Sequence, residues 1–339
     1  MRNLSMDALC EKIGNAVSKQ AISKYEKGES LPGSQILILL SQALDVKPDY
    51  FFRESQFAIS NIEFRKKAKM GVKEVEAIKE EIRDIIERYL EIEDVWGCVP
   101  SFANPVKEML VASEDDVYDV VKKLKDAWNI GEDGILSVTD LLESKNIKVV
   151  EIKADSSFDG LSGYVNNDEN MPFVVVNKSF DVERLRFTGL HELGHLVMNL
   201  PEEMEKKDKE RLCNLFASEM LISRDIFVDV LGERRSDISL QELKVLQAVY
   251  GISVDALMFK AKTVGVISES KHTSFCIRKN KSLAFKDAVE RSSYRGVEES
   301  SRFDRLVYRA LASDMISCSK AAVLLNEPME EVKNKLELV

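Results

Sequence analysis

One ten-residue stretch limits what this chain can become more than any other: Arg186-Phe187-Thr188-Gly189-Leu190-His191-Glu192-Leu193-Gly194-His195. Two of the chain's three histidines stand four residues apart in it, with a glutamate directly after the first. On an α-helix, positions i and i+4 share a face one turn apart, so both imidazoles can aim at one metal ion. Glu192, rotated by one position, can reach a water at that ion. The flanks favour a helix, since Asp181 or Ser179 can cap it and Leu185, Leu190, Leu193, Leu196 and Val197 supply an apolar stripe. The competing explanation is a pair of core histidines satisfied by their neighbours. Against it stand Gly189 and Gly194, each of which costs a helix interior about 1 kcal/mol relative to alanine. A helix that must let a metal, a water or another backbone come close has a reason to carry them.

A catalytic zinc site normally takes a third protein ligand and keeps one position open. Downstream, Glu210-Arg211-Leu212-Cys213-Asn214-Leu215-Phe216-Ala217-Ser218-Glu219-Met220-Leu221 reads as a helix with Glu210, Asn214, Ala217 and Leu221 on one face. Glu210 is the preferred third ligand. Asn214, one turn on, can bond the far nitrogen of a ligating histidine, a partner such histidines generally need. Glu219 competes, but points roughly 180° away by helical rotation. Glu202, Glu203 and Glu205 read as a solvated acidic loop. Two strands, residues 161–165 and 173–177, joined by a polar turn at 166–170, come just before the histidine helix. A strand there can hold an extended peptide by main-chain pairing; an ordinary core hairpin is the alternative.

With 339 residues, 45% hydrophobic, the chain can build two or three domains with cores of their own. No apolar run approaches the roughly 18 residues of a membrane span, and Met1 leads straight into a helical pattern rather than a signal peptide. The five cysteines are scattered, odd in number and form no C-x-x-C, which excludes a disulfide framework or a cysteine-zinc site. Together these features predict a cytoplasmic protein with reduced thiols and no membrane partner. The net charge of −10 is uneven: residues 1–60 are neutral, residues 61–259 carry −14 and residues 260–339 carry +4. The acidic middle would repel phosphate, so any nucleic-acid contact belongs to the ends.

Residues 5–52 alternate short helical patterns with tight turns: Ser5 to Gly14, Ser18 to Gly28, Ile36 to Leu44, and a fourth helix opening over 45–52. This block resembles the phage-repressor-like (XRE, Cro/C1-type) helix-turn-helix family. The resemblance places the helix that begins near Ser18 in the major groove, with Lys19, Gln20 and Lys24 as candidates for DNA contact. A repressor-like fold used for protein contacts is the alternative, because the block has no net positive charge. That family's domain normally begins one helix earlier, so its first helix is expected to be missing here, where only Met1-Arg2-Asn3 precede Leu4.

From Glu63 to about Glu93 a charged amphipathic helix follows, its stripe formed by Val72, Val75, Ile78, Ile82, Ile85, Ile86, Tyr89 and Leu90; it reads as a linker with a solvated polar face. A break at residues 96–100 precedes helices around 115–128 and 138–144 and a strand at 147–152. Beyond the histidine helix, residues 240–250 and 254–263, and again 303–313, 320–325 and 329–336, read as small helix-turn-helix pieces. The predicted architecture is mainly α with a small β-sheet (α+β). Its expected domains are a helix-turn-helix at 1–60, a linker helix at 61–95, a metallopeptidase domain at 96–238 and a helical C-terminal domain at 239–339.

Arg-Phe-Thr-x-x-His-Glu-Leu-Gly-His, followed by Glu-x-x-x-Asn-x-Phe-Ala-x-Glu-x-Leu, resembles the ImmA/IrrE family of metallo-endopeptidases, in which a repressor-like helix-turn-helix is often fused in front. The resemblance implies a gluzincin-like site: His191, His195 and Glu210 as ligands of Zn2+ (Mn2+ being the alternative) and Glu192 as catalytic base. The oxyanion-stabilising donor is open, with Tyr164 and His272 as candidates. The family's usual Leu-Leu-Met-Pro is Met220-Leu221-Ile222-Ser223 here, which loses a helix-ending proline and no ligand. The implied function is cleavage of a specific intracellular protein, a transcriptional repressor, that derepresses stress or mobile-element genes. The C-terminal domain would regulate or sense, and a dimer is compatible with this reading. The alternative is a DNA-binding regulator or antitoxin with a vestigial metal site.

Overall fold

Serine caps and short apolar repeats build the N-terminal part of the computed structural model as three helices: α1 (Met6–Lys12), α2 (Lys19–Glu26) and α3 (Ser34–Leu44). The Ser5 and Ser18 hydroxyls accept the backbone N–H groups of Ala8 and Ala21, which otherwise lack intrahelical partners. Leu9, Cys10, Ile13, Ile22, Leu40 and Ala43 form a small core of their own. The structure describes residues 4–44, 46, 48, 51, 71–97, 101–165 and 168–336. The fourth helix expected over 45–52 lies mostly outside them. So do the expected start of the linker helix before residue 71, the break at 98–100 and Asn166-Asn167 of the hairpin turn.

The chain continues through α4 (Val72–Val95), α5 (Glu114–Trp128) and α6 (Val138–Ser144), then β1 (Lys148–Ile152), β2 (Gly160–Tyr164) and β3 (Pro172–Asn177). The helices α7 (Val182–Val197), α8 (Lys206–Leu221), α9 (Arg224–Leu231), α10 (Leu240–Tyr250) and α11 (Val254–Thr263) follow. Five more close the described chain: α12 (Glu269–Lys281), α13 (Leu283–Glu290), α14 (Arg302–Ala312), α15 (Cys318–Leu324) and α16 (Met329–Lys335). The fold is mainly α with a small sheet, as expected. Helices α9, α12 and α13 were not foreseen. Of α12's thirteen residues only Phe275 is buried, so that helix shows almost no apolar stripe to read.

The sheet order is β1-β3-β2, with β1 parallel and β2 antiparallel to the central strand. Side chains alternate faces along β3. Phe173 and Val175 join a core with Val75, Ile78, Ile82, Ile86 and Leu90 of α4. Val174 and Val176 join the larger core of α5–α8 on the other face. The stripe read as a linker helix therefore covers one side of the sheet.

The larger core continues through Leu243, Leu246, Leu257 and Met258 to Phe275 and Val289, so apolar side chains on both sides of residue 238 pack together. Helices α14–α16 form a separate cluster with Ile92, docked on the end of α4. There Arg88 donates to the Leu324 carbonyl at 2.6 Å and the Trp96 indole to that of Leu306 at 3.3 Å.

Between the two clusters runs an irregular strap, residues 291–301. Its anchor is Glu298, which pairs with the fully buried Arg186 of α7 and accepts the N–H groups of Val138 and Thr139 at 2.9 and 2.8 Å. Arg186 also donates to the Tyr294 hydroxyl at 2.8 Å and the Ile135 carbonyl at 2.6 Å. Removing one partner of such a pair strands the other charge in a low-dielectric interior. Glu298→Ala should therefore lower the free energy of unfolding by about 3–5 kcal/mol in urea denaturation. A loss below about 1 kcal/mol, the size expected of an exposed ion pair, would show that the strap is not held this way.

Candidate metal centre

Helix α7 is packed on three sides, and each side has a separate task. Thr188 and Glu192 face β2, His191 and His195 face α8, and Gly189 faces Val138 and Leu142 of α6. A Cβ on Gly160 would come within 2.6 Å of both Thr188 Cγ2 and the Val175 carbonyl oxygen, so glycine there lets β2 lie against the helix. A Cβ on Gly194 would meet the Phe216 ring of α8 at 3.1 Å. The helix glycines thus serve helix packing, through neighbouring side chains rather than a backbone or ion.

With the helices this close, His191 Nε2, His195 Nε2 and Glu210 Oε2 form a triangle with edges of 3.0, 3.2 and 3.8 Å. Two ligands about 2.0–2.1 Å from a tetrahedral ion stand about 3.3 Å apart, so the triangle has the size that a zinc site requires. Among the described residues these three form the one group of His, Cys, Asp and Glu side chains compact enough to hold a metal. The far nitrogens are also engaged. His191 Nδ1 lies 2.9 Å from Asn214 Oδ1, and His195 Nδ1 lies 2.9 Å from Cys213 Sγ. Both rings therefore direct Nε2 at the gap, and the donor set fits zinc better than an oxygen-seeking ion.

The two imidazoles beside it, His191 first and then His195, hold the Glu210 carboxyl far below the ordinary carboxylate range, against the opposing effect of its partial burial. It is an anion aimed at the triangle. Glu219 behaves quite differently: it is buried, paired with Lys260, and accepts the Arg224 N–H at the start of α9 at 2.8 Å.

Glu192 is almost fully buried, and its Oε2 accepts the Ser162 hydroxyl of β2 at 2.7 Å. Sequence reasoning missed Ser162, although strand alternation puts 160, 162 and 164 on the face toward α7. It also missed Cys213, which directly precedes Asn214. A cavity opens over His191, Glu192 and Glu210, lined also by Phe187, Arg184 and Lys206. A second cavity includes His195, Tyr164, Phe102 and Asn199. Gly160 and Tyr164, at the two ends of β2, line one cavity each, so the strand runs between them.

The Tyr164 hydroxyl donates to the Leu196 carbonyl at 2.9 Å near the end of α7, and burial pushes its pKa up to about 12. That donor, one of the two candidates for the oxyanion, is engaged with the helix. His272 lies on α12, edge-on to Phe259 at 6.0 Å, and lines neither cavity. In the N-terminal helices, Lys19, Gln20 and Lys24 are all exposed on α2, with Lys19 paired to Asp7 at 2.6 Å.

A helix pair gathering two imidazoles and a carboxylate beside an edge strand is the build of a metallopeptidase-type domain, here behind a helical domain of repressor type. Two family models match accordingly: one described as helix-turn-helix, over residues 1–51, and one as IrrE N-terminal-like domain, over residues 142–262. The chain thus has the ImmA/IrrE architecture. It is also similar to an uncharacterized HTH-type transcriptional regulator, y4aM, of Sinorhizobium fredii, at 45% identity over 53 residues. That match takes in 16% of this chain and 36% of the regulator, so the chain spans about a third of its relative's length.

The two buried or half-buried glutamates of α8 give a discriminating pair of variants. Glu210→Gln should weaken zinc binding by more than the roughly 10–100-fold that losing a ligand's hydrogen-bonding partner costs, in competition with a chromophoric chelator. Glu219→Gln should leave zinc affinity unchanged and lower the thermal midpoint.

Proposed function

We propose that the chain is a zinc-dependent endopeptidase that cleaves one specific intracellular protein, with a transcriptional repressor as the expected substrate. The observation that carries this reading is the triangle of two Nε2 atoms and one carboxylate oxygen with Glu192 on the next face of the same helix. When bound, zinc would supply Lewis-acid polarisation of the scissile carbonyl and make water a nucleophile near neutral pH. His191, His195 and Glu210 would hold it.

The chain's own residues supply the rest. Glu192 takes the proton from the attacking water and returns it to the leaving amine. Ser162 donates to Glu192 Oε2 and so fixes the carboxylate against β2. The edge of β2 away from β3 has no strand partner among the described residues, and a substrate segment in extended form can pair there. Such a segment would lie across both cavities. Cleavage of a repressor would release its DNA and turn on stress or mobile-element genes.

A second reading is favoured by the exposed Lys19, Gln20 and Lys24 and by the transcriptional regulator among the relatives: a DNA-binding regulator whose metal site has no catalytic task. The N-terminal domain could serve either role, by bringing the peptidase to a DNA-bound substrate or by acting alone.

The deciding experiment incubates the purified chain and zinc with candidate transcriptional repressors from the same cell. A discrete cut, abolished by chelator and by Glu192→Gln while Glu192→Gln retains zinc, is the expected result. Tight operator binding with no cut would favour the second reading, and a Glu192→Gln variant that still cleaves would remove Glu192 from the mechanism. Ser162→Ala should lower kcat roughly 10-fold with zinc affinity intact, and Ser162→Thr should recover most of it.

A further inference from the structure

The far nitrogens of the two imidazoles meet different chemistry. Asn214 offers His191 an amide oxygen, while Cys213 offers His195 a thiol sulfur at 2.9 Å from Nδ1. Cys213 is completely buried, and its neighbours in α8, Leu212 and Phe216, belong to the main core. Glu210, Cys213 and Asn214 occupy little more than one turn, so a single stretch of α8 carries a candidate ligand and a partner for each ring.

The sulfur touches the side of the ring opposite the triangle, and Cys213 is not among the side chains whose donor atoms cluster there. Its task is therefore one step removed from the ion. For Nε2 to offer a lone pair to a metal, Nδ1 must carry the ring proton, and that proton needs an acceptor in a place water does not reach. The His195 side chain is only 2% exposed, against 15% for His191, so solvent is a poorer substitute at His195.

We propose that Cys213 is the positioning residue of His195: its sulfur accepts the Nδ1–H, fixes the tautomer and ring angle, and so commits Nε2 to the metal. This rests on the metal reading of the site and adds to it a second residue of α8 beside Asn214. A thiol is a weak acceptor beside an amide oxygen. The two imidazoles are therefore held unequally, with His195 oriented by a soft partner in a dry environment and His191 by a strong one nearer solvent.

The test uses the full chain and two measurements, neither of which requires a substrate. Zinc affinity is measured by competition with a chromophoric chelator for the wild type, Cys213→Ala, Cys213→Val and Cys213→Ser. Imidazole 15N shifts of the metal-free proteins report which ring nitrogen of His195 carries the proton. Cys213→Ala and Cys213→Val should both bind zinc about 10-fold or more weakly, and their His195 should populate both tautomers. Cys213→Ser, which restores an acceptor, should bind within about threefold of wild type and keep the Nδ1–H tautomer. Wild-type affinity in Cys213→Ala would overturn the proposal, as would recovery by Cys213→Val, which restores volume without an acceptor. Either result would leave the peptidase reading intact. A wild-type chain that binds no zinc would overturn both.

Discussion

The close approach of α7 to its neighbours is the constraint on which the rest of the molecule depends. An imidazole reaches only a few ångströms from its helix, so two of them can share an ion with a carboxylate only if α7 and α8 nearly touch. Gly194 against Phe216 permits that contact, and Gly160 against Thr188 permits the corresponding one with β2. A side chain at either glycine would push its neighbour out by a few tenths of an ångström or more. The 3.2 and 3.8 Å that separate the His191 and His195 Nε2 atoms of α7 from Glu210 Oε2 of α8 leave little such room. The helix therefore carries residues that are poor for an isolated helix, and tertiary packing makes up the difference.

Charge buried at three places holds the surrounding layers in register. Arg186 and Glu298 tie the strap to α7. Lys148 and Glu93 pair between β1 and α4 at 3.0 Å, both almost fully buried, and Arg302 joins the same carboxylate at 2.8 Å. Lys260 and Glu219 join α11 to α8. Desolvation makes such pairs poor contributors to net stability, but an alternative packing that separates them is heavily penalised. Two of these three links involve α7 or α8 directly. The third fastens α4, and with it the cluster of α14–α16, to the sheet that carries β2. The C-terminal segment is thus mechanically continuous with the candidate site through two routes, the strap and α4.

Periodicity was legible where packing is one-sided. The stripe on α4, the caps at Ser5 and Ser18 and the four-residue histidine spacing all announce themselves, since each reflects a single face or a local hydrogen bond. Asn214 could be placed from the face it shares with Glu210. What could not be read required knowing which elements meet. Ser162 is an ordinary strand serine until β2 lies on α7, and Cys213 reads as one more core thiol until His195 is set against it. Tyr164 and His272 were singled out for their chemistry alone, and tertiary structure gives the first to a backbone carbonyl and the second to an aromatic contact with Phe259 of α11. The extent of the main core was hidden for the same reason, because the helices beyond residue 238 carry apolar faces that fit a partner as well as they fit each other.

Exposure around the triangle is graded, and the gradient bears on how such a site would work. His195 is almost fully enclosed, His191 slightly open and Glu210 about one-third open, so the cluster faces solvent through its carboxylate edge. Glu192 is enclosed on the β2 side, where Ser162 holds it. An extended segment pairing with β2 would therefore arrive between the enclosed base and the open edge, and would itself remove the remaining water from the site. Electrostatic interactions strengthen as water leaves, so the carboxylate, the imidazoles and the base would act most strongly only once a segment of suitable shape is in place. On the proposed reading, such a site would favour a partner whose extended segment fits both cavities.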